Sequence, residues 1–499
     1  MSPFFGKEIL LHFLNVNLTY NKVLFMALLI RIFGNKNYLC ALISKLNKLK
    51  FDMSKVIKLK KGLDINLKGK AELALTEASG IAEAEISIKP SDFPCMKPAL
   101  KVKEGDKVKA GSVLFTDKYR PEICFCSPVS GTVAEIRRAE RRRITDIVVK
   151  GDGAGEYEKF DTANISSKDG AKELLLKGGV WPYLRQRPFN IIADPQADFK
   201  AVYISTFNSA PLAPDYQFIL KDSVADFQAG VDILGKIAPV YLGLNAKVSN
   251  DIFAGIKCHE INSFEGPHPA GNAGVQISHI IPVNKGENVI VVDPQDVAII
   301  GRLAKNGIYD AKKIVAVSGS KVNKPQYIKT IANTSVAPLI NGNADTENAR
   351  IISGNVLTGT KIEANGYLGF YDNAVTVIPE GNYYDFFGWA LPGFKKFSVS
   401  RTFFSWLTPK KQYDLDTNMH GEERAYVVTG TYEKLLPMDI LPLQLIKAIL
   451  AENIELMEDL GIYEVAEEDF ALCEFADTSK TEIQAIIRKG LDLMVAESR

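Results

Sequence analysis

The stretch best suited to chemistry is Phe264-Glu265-Gly266-Pro267-His268-Pro269-Ala270-Gly271-Asn272-Ala273-Gly274-Val275. Gly tolerates positive φ and close backbone approach, while Pro fixes φ and removes a donor. The spacing predicts a fixed, open loop with free backbone amides. Apolar strand candidates flank it, so it is expected at a sheet edge, where α/β proteins keep their ligand crevices. His268 can both stack and donate a hydrogen bond, and the amides near Gly271 are further donors. A second candidate stretch runs Gly178-Gly179-Val180-Trp181-Pro182-Tyr183-Leu184-Arg185-Gln186-Arg187-Pro188-Phe189, where Trp181 and Phe189 offer aromatic faces.

His259, His268 and His279, with Cys258 and Glu260 nearby, invite a metal reading. Their spacing matches no standard zinc pattern, and His268 stands between two prolines, so no metal site is assigned. Cys124 and Cys126 sit one apart on a strand and face the same side. They read as buried small hydrophobes. The cluster Arg137, Arg138, Arg141, Arg142 and Arg143 reads as a solvated hairpin face; a docking patch for an acidic partner or lipid headgroups is the sharper alternative.

The elements that must position these residues follow from composition and periodicity. At 499 residues, three or four domains are expected. Apolar content of 46% and charged content of 24% are ordinary for a soluble globular protein. A net charge of +1 suggests neither nucleic acid nor an acidic tail. Six Cys without a CxxC read as a reduced, intracellular chain. The apolar run Val23 to Ile30 is too short to cross a bilayer, which takes about 20 residues. Residues 1–52 read as upstream sequence with Met53 as the start; a short membrane-surface anchor is the alternative.

Between Val102 and Val149, V-x-x-GD-x-V-x-x-G and SP-x-x-G-x-V signatures resemble a biotinyl/lipoyl-like barrel-sandwich. A lipoylated carrier with Lys118 as its attachment site is the rival function this raises. From 161 to 309 strands alternate with helices, hence a parallel sheet. One helix, capped by Asp222-Ser223, places Phe227, Val231, Leu234 and Ile237 on one face. Another is opened by Pro294 and ends near Gly307. The carboxyl end predicts a helix from Pro442 to Gly461, then a capping box Ser479-Lys480-Thr481-Glu482 before Ile483. No dinucleotide fingerprint or P-loop is present. Trp181, Tyr183 and Phe189 would obstruct the backbone approach a pyrophosphate needs, so the sheet reads as a lost or converted nucleotide site.

Lys61-Gly62-Leu63-Asp64, Ser127-Pro128-Val129-Ser130-Gly131, Arg187-Pro188-Phe189, Gly266 to Gly271, Gln295-Asp296-Val297 and Lys324-Pro325 follow in order. Arg350-Ile351-Ile352-Ser353-Gly354, Gly359-Thr360-Lys361, Phe387-Gly388-Trp389, Lys396-Phe397-Ser398-Val399 and Glu467 to Cys473 continue the series. Together they resemble the A-subunit family of the Na⁺-translocating NADH:quinone oxidoreductase (Na⁺-NQR), over residues 54 to 499.

The resemblance implies a peripheral subunit on the cytoplasmic face of the bacterial inner membrane, without a transmembrane helix. It implies five partner subunits, above all the membrane quinone/flavin subunit. Oxidation of NADH, reduction of ubiquinone or menaquinone and Na⁺ export belong to the whole complex. NADH, flavins, iron–sulfur centres and Na⁺ are expected on other subunits, because the Gly-rich loop is replaced at Gly179-Val180-Trp181-Pro182-Tyr183 and only Cys473 stands where a cluster needs several Cys. Quinone binding and assembly fall to this chain, which lacks a complete active site of its own. A quinone is flat, mostly apolar and carries two carbonyl acceptors, so it needs aromatic walls and a few donors. Phe189, Trp181, His268 and Gly271 are the expected quinone-binding residues, chosen on residue type and loop position.

The expected fold is a multidomain α/β chain. Residues 1–53 are an extension, 54–160 the barrel-sandwich, and 161–309 a Rossmann-like domain lacking its nucleotide loop. Residues 310–378 form a β-grasp module of the soluble-ligand-binding (SLBB-like) type, implied by the resemblance. Residues 379–435 are an aromatic-rich connection whose exposed part would face a partner or membrane, and 436–499 a helical bundle. The competing class is a stand-alone barrel-sandwich carrier or binding protein.

Overall fold

A computed structural model describes residues 56–498 apart from Ser79, Asn250, Trp389, Gly421, Glu423 and Tyr426. The expected extension and the proposed start at Met53 lie outside the described residues.

Alternating apolar residues and Gly turns build the barrel-sandwich. Glu85–Ile88, Ile144–Gly151, Gly131–Arg138 and Lys107–Val108 form one sheet in that spatial order; Pro98–Leu100, Val113–Asp117 and Cys124–Cys126 form the other. Ile86, Val133 and Ile147 from the first share a core with Leu114, Phe115 and Phe125 from the second.

The α/β domain holds a seven-stranded sheet in the order Val56–Lys58, Glu260–Glu265, Val240–Asn245, Ala201–Ser205, Val289–Val291, Arg185–Arg187, Ile191–Ile192. The first five run parallel; Arg185–Arg187 runs antiparallel to them, and Ile191–Ile192 pairs antiparallel with it. Three strands run outward in chain order from Ala201–Ser205; Val289–Val291 then returns to its other side. That reversal is a topological switch point, where an open α/β sheet leaves a crevice at its carboxyl edge. Helices Val224–Leu234 and Pro294–Asn306 cover this sheet; the second is opened by Pro294 and ended by Gly307 as its residues predict, and Asp293 caps it. Ser223 stands at the first helix's N-cap but makes no side-chain cap bond.

Two early strands depart from the expected partition. Val56–Lys58 pairs in parallel with Glu260–Glu265, and Leu75–Glu77 pairs in parallel with Gln326–Ile331. The stretch before the barrel-sandwich therefore completes the edges of two other sheets. The second of these is the β-grasp sheet, ordered Thr360–Ile362, Ala349–Ser353, Ala374–Pro379, Lys312–Ser318, Gln326–Ile331, Leu75–Glu77.

The carboxyl helices pack through Leu443, Ile446, Ile449, Met457, Ile487 and Leu491. The single helix expected from Pro442 to Gly461 is two, Pro442–Leu450 and Ile454–Asp459. Asn453 breaks it, because its side chain accepts from the Leu456 amide at 3.0 Å and caps the second piece. Leu450, the last residue of the first piece, is exposed. The capping box is absent as well: Glu482 is the N-cap of Ile483–Glu497 without a side-chain bond. Thr481 instead donates from both amide and hydroxyl to Asp477. Among the described residues no helix is long and apolar enough to cross a membrane.

Candidate functional site

Sequence and topology converge at the switch point. The strand Ala201–Ser205 ends in Ser205 and leads into Phe207 and Asn208; the strand Val289–Val291 leads into Val292 and Asp293. These residues line a crevice of about 180 Å³. Gly271 and Asn272 border it ahead of the helix Ala273–Ile280, Tyr371 to Ala374 enter from the β-grasp module, and Glu468 enters from the carboxyl domain.

Its polar groups are ordered by short bonds. Ser205 donates its hydroxyl towards the Gly271 carbonyl at 2.9 Å. The Gly271 amide donates to Ser209 Oγ at 2.8 Å, and that hydroxyl meets His268 Nδ1 at 3.0 Å. Tyr216 donates its hydroxyl to Asp293, whose other oxygen caps Gln295 at 2.9 Å. The Arg185 guanidinium lies 5.1 Å from the Tyr371 ring centre and donates no hydrogen bond among the described residues. Asn373 Oδ1 is buried without a partner among them.

Burial pushes Asp293 and Asp372 above the usual carboxylate range; Tyr216 and Ser353 respectively only partly offset this. Behind them burial lifts Asp296 to about 7, although Lys313 stands 2.8 Å away. For Glu468 burial also opposes charge, but Arg187 and then Arg185 outweigh it and hold the carboxyl low. Among the described residues the crevice thus has one uncommitted cation against several carboxylates. A pyrophosphate would meet like charges there.

The structure does not bring the four expected ligand residues together. Gly271 lines the crevice. His268 is buried behind it, and burial pushes its imidazole down to about 4, so it is neutral near pH 7. Its Nε2 is buried without a partner among the described residues. Trp181 is fully buried and its indole N–H donates to the Ala193 carbonyl at 2.8 Å, leaving no face for a ligand. Phe189 packs edge-on against Tyr463 of the carboxyl domain at 5.9 Å. The free amides expected in the Gly/Pro loop are engaged too. His268 N donates to Asp64, Ala270 N to Pro267 O, Gly271 N to Ser209 and Asn272 N to Pro269 O. The loop is buried, and buried donors find partners.

The Gly178-Gly179 pair serves packing. Gly179 has φ 71, and a Cβ there would lie 2.5 Å from Cys126 Sγ. The bulky residues that follow fill the nucleotide-loop position: Tyr183 stacks on Phe370 at 4.6 Å and bonds Tyr309 at 2.9 Å.

Arg185, Tyr371, Asp372, Asn373 and Glu468 were missed as crevice residues. Arg185 and Glu468 do lie inside segments singled out for their composition or motif, so a signal existed. Only the three-domain contact shows that those segments meet.

Three family profiles match the chain: NqrA N-terminal barrel-sandwich hybrid domain over 57–152, NqrA second alpha/beta domain over 166–309, and NQRA C-terminal domain over 314–364. The chain is similar to the A-subunit of the Na(+)-translocating NADH-quinone reductase from Neisseria meningitidis serogroup B, 36% identical over 89% of this chain and 100% of the relative. Its counterpart from Hahella chejuensis is 35% identical over 87% and 98%. That from Rhodopirellula baltica is 35% identical over 89% and 98%. A chain of a NAD⁺-reducing NiFe-hydrogenase overlaps at TM-score 0.37 and 12% identity, over 65% of this chain and 64% of that one.

Proposed function

Because the chain belongs to the A-subunit family of the Na(+)-translocating NADH-quinone reductase, an oxidoreductase complex, we propose that its own part in that complex is to bind the quinone headgroup and to support assembly. The observation that carries this reading is the switch-point crevice with its uncommitted guanidinium. Arg185 would donate to a quinone carbonyl, and Tyr371, Tyr216 and Phe207 would supply aromatic wall. The neighbouring carboxylates favour a neutral ligand over a nucleotide. Gly271 contributes backbone at the rim, and His268 acts through Ser209 to set that rim.

In this reading NADH, flavins, iron–sulfur centres and Na⁺ are handled by the five other subunits. The chain sits peripherally on the cytoplasmic face of the membrane, beside the quinone/flavin subunit. The holocomplex passes electrons from NADH to ubiquinone or menaquinone. The filled loop at Trp181 to Tyr183 supports the absence of hydride chemistry here.

A photoactivatable short-chain quinone, irradiated with the assembled complex, tests the assignment. Labelled peptides should contain Phe207, Gly271 or Tyr371. Labelling of this chain confined to other segments, competed away by unlabelled quinone, would remove the crevice as the site.

A further inference from the structure

Among the described residues between Glu380 and Thr431 there is no strand and a single short 3₁₀ turn, at Phe404–Leu407. The segment is nevertheless held in place. Glu380 takes Arg350, Lys361 and Thr417. Tyr383 donates its hydroxyl to Asp416 at 2.7 Å, and Asn418 donates to the Tyr383 carbonyl at 2.7 Å. Inward, Phe403 and Tyr413 are buried, and Phe397 meets Tyr413 edge-on at 5.6 Å. The segment has thus satisfied its own packing.

The outward side is different. Tyr384 is 104% exposed, Phe386 87%, Phe394 68%, Leu407 57% and Trp406 48%. Large exposed apolar groups in succession mark an interaction surface. Their charge context narrows the partner. The loop that carries the exposed rings, between Tyr383 and Tyr413, holds Lys395, Lys396, Arg401, Lys410 and Lys411 against Asp385, which Lys396 pairs; the acids of the segment stand outside that loop, at Glu380, Asp414, Asp416, Glu422 and Glu423. Of these cations Arg401 lies among the outward rings, 5.2 Å from the Trp406 ring centre, while Lys396 turns inward over Phe403 and pairs with Asp385.

We propose that this face seats the chain on an anionic lipid bilayer surface. Trp, Tyr and Phe at loop tips suit the headgroup boundary, where an amphipathic ring is apolar on one side and wet on the other. Interleaved Lys and Arg complement an anionic leaflet. No membrane-crossing helix is needed, because contact is made by side chains that project from a fixed loop. The proposal does not depend on where quinone binds.

Flotation of the full chain with vesicles tests it. Vesicles containing about 30% phosphatidylglycerol in phosphatidylcholine should carry the chain at low salt, and about 0.5 M NaCl should weaken the binding. F386S/F394S/W406S should lower the bound fraction at least ~tenfold with an unchanged melting temperature, since all three side chains are exposed. K395E/K410E should reduce binding to the level of pure phosphatidylcholine, because each basic residue is worth roughly fivefold. If the wild-type chain does not float, or the aromatic variant floats as well as the wild type, the proposal fails. If the wild-type chain does not float but the aromatic variant loses co-purification with membrane partners, the face is a protein interface and the lipid assignment is overturned.

Discussion

Arg185 and Arg187 stand two residues apart on one strand and face the same side, yet they serve two different regions. Arg187 belongs to the seam between the α/β and carboxyl domains. It is fully buried, with Asp469 at 2.7 Å and Glu468 at 2.6 Å. The helix Ala273–Ile280 closes over the pair at Gly274, where a Cβ would lie 2.5 Å from Asp469. Asn190 with Glu467, and Arg488 with Glu467, extend the seam. Arg185 belongs to the crevice, partly exposed and without a side-chain hydrogen bond among the described residues. The residue type is the same; the number of committed partners separates a structural cation from one ready for a ligand. A buried charge must be paired, while one at a crevice edge retains its solvation and its donors.

The largest effect expected from this contrast is at the seam. Arg187→Met leaves Asp469 buried without its cation and should cost about 3–5 kcal/mol of stability, measured by urea unfolding. Quinone affinity per folded molecule should change less than on loss of Arg185, because only the crevice-lining Glu468 is affected, through its lost cation. An unaltered unfolding curve would erase the distinction between the two arginines.

Trp181→Ala should cost a similar ~3–5 kcal/mol, because it empties a fully buried indole site. Affinity per folded molecule should be unchanged. A variant of normal stability and weakened quinone binding would return Trp181 to the site.

His268 sits between the two regions, and its contribution depends on pH. Its folded pKa is about 4, below the unfolded value near 6.5, so the unfolded chain takes up the proton first. Its contribution is fully present above about pH 6.5 and is lost as pH falls towards 4, by roughly 2–3 kcal/mol. Asp296, raised to about 7, acts in the opposite sense and gains stability as pH falls through that value. The difference between wild type and His268→Asn isolates the imidazole. Equal pH slopes for the two proteins between pH 6.5 and 4 would show that His268 does not stay buried and neutral.

The smallest expected effect is at the crevice. Arg185→Leu removes a charged donor to a quinone carbonyl, worth about 1.5–3 kcal/mol or roughly ten- to hundredfold in affinity. Stability should shift by about 1 kcal/mol, since the attraction to Glu468 and the contact with the Tyr371 ring are lost but no side-chain hydrogen bond is. A loss of stability without a loss of affinity would place Arg185 with Arg187.

Periodicity and turn residues alone carried the element types. Phe227, Val231 and Leu234 predict their helix, although Ile237, read onto the same face, lies past its end at Leu234; Pro294 and Gly307 bracket theirs, and the Gly turns around Asp106 and Gly131 predict the barrel-sandwich, each settled by interactions within a few residues. The run of motifs carried the family. What local pattern could not reach was which strand completes which sheet. Val56–Lys58 and Leu75–Glu77 pair with partners far along the chain, and pairing energy depends on the partner's edge rather than on the strand's own residues. The same limit applied to the site. Gly271 was legible as a crevice residue because Gly and Pro set backbone shape locally. Trp181 was not legible as a core residue, nor Phe189 as one half-buried against the carboxyl domain, because an aromatic side chain reads the same whether it lines a cleft or fills one. Arg185, Tyr371 and Glu468 become one site only where three domains meet, and only that meeting leaves Arg187 paired and Arg185 without a committed partner among the described residues.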